Sequence, residues 1–386
     1  MSGIFSCFNP VSYNLYCNKD RWETTQVGRY IDTYIEGSFP DFKKSEIAIF
    51  NVPEYEGSNN FAAESHCNVR AAFYSFYHDN LPSICDLGVL KLMPTRKESF
   101  KIIERVCSEL ISNGVIPLII GGGHDLSYAV YKSYVALEKF MTLTSVDNKF
   151  DVGLEDDNLA SFSFFGKMIS HKPNFLFHFN NIGYQSYFVS SLASEMLQEM
   201  NFDIVRLGDL KNNFNDVEPI MRNTDFLSFD ISAIKYAYAS ANVYASPNGL
   251  NGEEACKIMR YAGLSDKITA VGLFEYNQKL DSNNQTAFLL AQMLWYFVDG
   301  YKMRKNELNP NINNCEKYTV AFEDGKNEIN FYKSKISDRW WMGVPFSKEG
   351  FEELQNYYVA CSYRDYEIAN KGDIPERWLK TLNKFL

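Results

Sequence analysis

With 386 residues, 46% of them hydrophobic, and 30 Phe and 25 Tyr, the chain can bury a sizeable core, which excludes an intrinsically disordered protein. A formal net charge of −10 excludes nucleic acid as the main partner, because such binding depends on cationic neutralisation of phosphates. No apolar run approaches the roughly 20 residues of a membrane span, and no basic run marks a membrane-surface patch.

Taken in chain order, short β-rich runs alternate with longer helical ones. The expected elements are a strand at 46–52, helices at 61–77 and 97–113, a strand at 116–120, a helix at 126–137, and strands at 142–146 and 174–179. A helix at 188–200, strands at 203–207 and 226–229, a helix at 253–263, a strand at 268–274 and a helix at 286–298 follow. Alternation of this kind, with strands of nearly continuous apolar character, predicts a parallel sheet covered by helices on both faces. Asn251 and Glu254 have the spacing of a capping box, and Gly263 is the expected stop of that helix. Residues 304–330, rich in Asn, Lys and Glu, read as a surface excursion. The aromatic tail with Trp340, Trp341 and Trp378 is expected to fold back on the main domain. The division is therefore 1–303 for the main domain and 304–386 for an extension packed on it. The N-terminus lacks a basic-then-apolar leader, and the eight scattered cysteines contain no Cys-x-x-Cys pair, which fits a reduced cytoplasmic protein.

Three strand ends carry the chemistry. The run ending at Ile120 meets Gly121-Gly122-Gly123-His124-Asp125; the run ending at Val146 meets Asp147-Asn148-Lys149-Phe150-Asp151; the run ending at Phe229 meets Asp230-Ile231-Ser232. Ligands of parallel sheets bind at the carboxyl ends of strands. One imidazole and several carboxylates, without thiolates, suit a hard divalent cation such as Mn2+. Any one of these Asp residues reads equally as a helix cap or turn, and His124 as a hydrogen-bonded loop residue. The conjunction of three segments points to a metal site. Gly183-Tyr184-Gln185 is expected as a turn at the same edge, with Gln185 a candidate substrate ligand.

The glycine–histidine run, Asp147-x-x-x-Asp151, Ser228-Phe229-Asp230-Ile231 and Phe274-Glu275-Tyr276-Asn277 occur in the order and approximate spacing of the arginase/ureohydrolase superfamily, which the chain resembles from about 47 to 301. The Gly-Gly-Gly-His start is more similar to formimidoylglutamase than to arginase. The remaining chain, with Trp340-Trp341 and Tyr363-Arg364-Asp365-Tyr366, is similar to a formimidoylglutamase-like branch of Bacteroidetes. The resemblance implies a three-layer α/β/α fold with a mostly parallel sheet, a paired manganese site and hydrolysis of an amidine or guanidine. It also implies a trimeric or hexameric homo-oligomer. Carried over, His124, Asp147, Asp151 and Asp230 hold one ion, Asp151 takes the proton of water, and Glu275 faces the substrate. The second ion's own ligands fall on Lys149 and Ser232. An ammonium has no free lone pair, so that site is expected to be lost. Three aspartates facing one divalent ion and one ammonium still balance in charge. The sequence therefore leads to the expectation that Lys149 fills the vacated position, bridging Asp147, Asp230 and Ser232, and takes part in catalysis.

Three functions remain open from sequence. One is a one-metal or weak two-metal amidine hydrolase acting on N-formimidoyl-L-glutamate, a step of histidine catabolism, or on a relative of it. Another is a non-catalytic relative, without an ion, whose Lys149–carboxylate cluster serves binding or assembly. The third is an enzyme for a less cationic C–N substrate.

Overall fold

The computed structural model describes residues 3–16, 19–58, 67–153, 159–322, 327–347 and 355–385. Its first ten strands are β1 (Phe8–Asn9), β2 (Asp32–Thr33), β3 (Ile47–Asn51), β4 (Ile84–Leu90), β5 (Ile116–Ile120), β6 (Met141–Val146), β7 (Leu176–Tyr184), β8 (Asp203–Arg206), β9 (Phe226–Asp230) and β10 (Ala270–Phe274). They form one sheet in the order β1-β4-β3-β5-β10-β9-β6-β7-β8, with β2 also on β4. Every pairing is parallel except β1 against β4. The helices are α1 (Tyr13–Tyr16), α2 (Val27–Tyr30), α3 (Cys67–Ser75), α4 (Arg96–Ser112), α5 (Leu126–Ala136), α6 (Phe164–Ile169) and α7 (Ser191–Glu199). They continue as α8 (Leu207–Asn212), α9 (Val217–Arg222), α10 (Gly252–Leu264), α11 (Gln285–Lys302), α12 (Tyr363–Asn370) and α13 (Glu376–Leu382).

Side chains alternate across a strand, so each strand feeds two cores. Ile47 and Ile49 of β3 join a cluster with residues of α3, α10 and α11. Ala48 and Phe50 join another with residues of α4, α5 and α6. Helices thus cover both faces, giving three layers, and the central strands are wholly buried.

Beyond α11 the chain forms a second, antiparallel sheet, β11 (Cys315–Phe322), β12 (Asn327–Ser334), β13 (Trp340–Phe346) and β14 (Gln355–Cys361). A small core of Ile329, Phe331, Trp340 and Met342 lies beneath it. The buried Arg222 of α9 holds this sheet to the main one. Its guanidinium donates to the carbonyls of Trp340 (3.1 Å) and Cys361 (2.8 Å) and pairs with Glu218 at 2.7 Å. Asn223 adds a reciprocal pair with the backbone of Ala360, and Lys380 reaches Asp203 at 2.7 Å.

Several expectations need correcting. Residues 304–330 are not an irregular excursion throughout, since β11 begins at Cys315. The strand at 84–90 is not evident from sequence because Asp86 and Gly88 interrupt it. Asp86 is fully buried only because Arg70 pairs with it at 2.6 Å and the Tyr74 hydroxyl donates to it at 2.8 Å. Gly183 and Tyr184 are the end of β7 rather than a turn beyond it. The helix expected from 61 is described from Cys67; residues 61–66 lie outside the described residues, as do 154–158 of the loop expected to shape the pocket.

The capping box of Asn251 and Glu254 is present, but Gly263 does not end α10. It lies where α10 and α11 touch, and a Cβ there would stand 2.1 Å from the Phe297 carbonyl oxygen. Gly263→Ala is therefore expected to force the two helices apart and cost about 1–3 kcal/mol, measured by urea unfolding.

Candidate metal centre

Four neighbouring strands of the sheet, β5, β10, β9 and β6, end beside one another and carry the residues of the site. His124 follows β5, Glu275 follows β10, Asp230 ends β9, and Asp147 and Asp151 follow β6. Adjacent strands lie ~4.8 Å apart, so four carboxyl ends span a width that side chains can bridge.

The turn after β5 depends on its glycines. Gly121 and Gly122 have φ of +88° and +81°, and a Cβ on Gly122 would meet the Glu54 and Val52 carbonyls at 2.8 Å. This turn sends the His124 ring into the sheet edge, fully buried against Phe164 and Phe274. Its Nδ1 faces three carboxylates: Asp151 Oδ2 at 3.0 Å, Asp147 Oδ2 at 3.4 Å and Asp230 Oδ2 at 3.5 Å. Its Nε2 pairs with the Ser228 hydroxyl at 2.8 Å, which in turn pairs with Ser127 at 2.6 Å. A partner on the far nitrogen fixes the ring and leaves Nδ1 as the ligand face.

Like charges at this spacing cannot all ionise in a buried site. Burial and the neighbouring Asp151 charge push the Asp147 carboxyl up to about 7, against the pull of His124. Burial and the Asp147 charge push Asp230 up to about 8. Burial alone would lower the His124 imidazole, but its bonds to Asp147 and Asp151 and the Asp230 charge raise it well above its ordinary value. The protein by itself thus holds protons where a cation would relieve the repulsion. One imidazole nitrogen and three carboxylate oxygens converging in a buried pocket fit one hard divalent cation. His124, Asp147 and Asp151 in particular offer ligand atoms within 4.8 Å of one another.

Lys149 does not join the carboxylate cluster. Lys149's backbone N–H donates to Asp147 Oδ1 at 3.1 Å, but its side chain leaves the cluster. The ammonium lies 4.8 Å from the Tyr244 ring centroid and 5.9 Å from that of Phe188. Among the described residues no carboxylate oxygen lies within 4.0 Å of it. The expected bridge to Asp147, Asp230 and Ser232 is therefore absent. His124 already supplies the cluster with a cationic partner, while the aromatic faces offer the ammonium a site without full desolvation. Ser232, buried, donates its backbone N–H to Asp230 Oδ1 at 2.6 Å and accepts from Asn148 at 2.9 Å through its carbonyl.

Glu275 is also turned away from the role expected for it. It takes φ +67° and is 1% exposed. Its carboxylate accepts from the His124 backbone N–H at 2.8 Å, the Ser161 hydroxyl at 2.6 Å and the Ser58 hydroxyl at 2.5 Å. It braces the histidine turn. Gln185 is likewise spent on structure: its amide donates to the Asn248 carbonyl at 3.3 Å, and its oxygen accepts from Tyr187.

Sequence reasoning missed the support beneath the ligands. Ser161 contacts the His124 N–H (3.1 Å), Asp125 (3.2 Å) and Glu275. Arg96 pairs with Asp125 and with Glu54 at 3.3 Å. Isolated serines and a helix-start arginine carry no spacing signal; only Asp125, next to His124, was marked. Above Asp151 opens a cavity of about 640 Å3, lined by Lys149, Asp151, Gly153, Phe162, Phe188 and Ser190.

Residues 57–299 match the model of the Arginase family. A formimidoylglutamase of Geobacillus kaustophilus is 24% identical over 54% of this chain and 67% of its own length. One from Staphylococcus aureus is 24% identical over 61% and 73%. Among solved structures, Trypanosoma cruzi formiminoglutamase with Mn2+ superposes with a TM-score of 0.62 at 20% identity, over 69% of this chain and 97% of that one. At that identity the superposition speaks for the fold.

Removing the Ser161 hydroxyl takes one hydrogen bond from Glu275 and one from the His124 N–H, which keep their bond to each other. Ser161→Ala is expected to cost about 0.5–1.5 kcal/mol of stability in urea unfolding, with no change in the sheet signal by circular dichroism.

Proposed function

The chain belongs to the Arginase family, and from this we propose that it is a metal-dependent hydrolase of amidine-type C–N bonds, formimidoylglutamase-like in substrate. The observation that carries the reading is the convergence of His124 Nδ1 and the carboxylates of Asp147, Asp151 and Asp230 from three strand ends. The formimidoylglutamases among its relatives supply the substrate. The reaction is N-formimidoyl-L-glutamate and water to L-glutamate and formamide, a step of histidine catabolism.

His124, Asp147, Asp151 and Asp230 would hold one divalent ion, with manganese favoured by the carboxylate-rich donor set and by the Mn2+ of the Trypanosoma neighbour. Bound there, the ion supplies Lewis acidity, which eases ionisation of water and polarises an amidine carbon. Asp151 alone of these carboxylates lines the described cavity, so it is the one best placed to accept a proton from water. Ser228 and Ser127 hold the imidazole's orientation, and Glu275 with Ser161 holds its backbone. Glu275 thus acts as a positioning residue. The family extends the proposal to a trimeric or hexameric homo-oligomer of the cytoplasm, a setting that the six described free cysteines suit.

A second reading has its own observation. Lys149 and Ser232 stand where a second ion would find ligands, and a scaffold without hydrolysis, retained for binding, accounts for their presence equally well.

Metal analysis and turnover separate the two. After manganese loading we expect one ion per chain, and two in a Lys149→His/Ser232→Asp double variant. The loaded protein should release formamide from N-formimidoyl-L-glutamate, and Asp151→Asn should lower kcat at least about 100-fold. Two ions in the unaltered protein would remove the single-ion claim. No hydrolysis at any manganese concentration would leave the scaffold reading.

A further inference from the structure

Lys149 is anchored through its backbone to a metal-ligand carboxylate, yet its side chain belongs to the cavity wall. The rings of Tyr244 and Phe188 lie beside the ammonium without satisfying its N–H donors. An aromatic face attracts the charge but leaves the three hydrogen-bond donors to solvent or to a ligand. No described carboxylate lies within 4.0 Å of it, in a chain of net charge −10. The first turn of α7 adds Ser190 and Ala193 to the same wall, and the helix begins there with its positive end. Asp151 lines the same cavity and lies 3.0 Å from His124 Nδ1. Among the described residues the lining thus holds one carboxylate residue, Asp151, and one ammonium residue, Lys149, around a volume of about 640 Å3 that admits a small amino-acid derivative.

We propose that Lys149 is the counter-ion for the substrate's anionic end, so that the cavity above Asp151 takes carboxylate-bearing C–N compounds and rejects amidines or guanidines that carry no anion. The residue at the lost second-metal position serves substrate recognition instead of ion binding. A carboxylate on Lys149 places the remainder of a dipolar substrate toward Asp151. An ammonium at that point repels a purely cationic ligand, which supplies the rejecting element that specificity requires. This inference rests on the hydrolase reading for the reacting group, but not for the anion.

The experiment is direct binding of L-glutamate to the manganese-loaded protein by calorimetry, with agmatine as a ligand that lacks a carboxylate. L-Glutamate should bind saturably and more weakly as salt is raised. Lys149→Met should weaken it about tenfold or more, as expected for loss of a charged hydrogen bond, and Lys149→Arg should stay within about threefold. Agmatine should bind Lys149→Met at least as well as the unaltered protein. Lys149→Gln replaces Lys149→Met if near-ultraviolet circular dichroism shows the latter misfolded. Undiminished glutamate binding in the neutral variant means that the carboxylate goes to the metal, and overturns the proposal; so does the absence of saturable binding to the unaltered protein. Because calorimetry needs no turnover, Lys149-dependent binding without hydrolysis sinks the reaction and keeps the subsite. Hydrolysis with KM unchanged in Lys149→Met does the reverse.

Discussion

Three carboxylates, from Asp147, Asp151 and Asp230, lie around one buried imidazole nitrogen, and much of the site is arranged to tolerate that repulsion. Protons shared with His124 answer it in the protein alone, and a divalent cation answers it better. The arrangement is costly enough that it needs a rigid frame. Two positive-φ glycines fix the histidine turn, Glu275 and Ser161 pin its first N–H, and Arg96 joins Asp125 to Glu54. Asp151 and Glu275 both take left-handed backbone conformations, a strain that persists only where the surroundings enforce it.

Lys149 shows how charge distributes in such a frame. Placing an ammonium among the carboxylates balances the formal charge, but that balance ignores His124 as a cation and ignores desolvation. With the imidazole already in place, the lysine gains more at the cavity wall, where the faces of Tyr244 and Phe188 hold it near water. Asp151 of the carboxylate cluster and Lys149 then line one cavity.

The C-terminal sheet is coupled to this frame only at a distance. Arg222 and Asn223 bind the backbones of β13 and β14 just before β9, whose far end carries Asp230. The extension thus braces the start of a strand whose end carries Asp230. It lies at the opposite end of the strand from the carboxylates.

The sequence by itself determined the inventory of candidate ligands. Apolar runs ending in Gly121-Gly122-Gly123-His124, Asp147-x-x-x-Asp151 and Asp230 are local patterns, and local patterns fix strand ends and turn conformations. Sequence could not give β4, where Asp86 is masked by a distant Arg70, nor the stop of α10, where Gly263 answers to α11 instead of to its own helix. Tertiary structure alone decided three further things. It set the order β5-β10-β9-β6, which brings the four strand ends together although β7 and β8 separate β5 and β6 from β9 and β10 in the chain. It turned Glu275 under the histidine loop, and it sent Lys149 outward. Each of these depends on which partner across the sheet offers a donor, a charge or a ring. Long-range packing sets that, and the spacing of residues along the chain does not encode it.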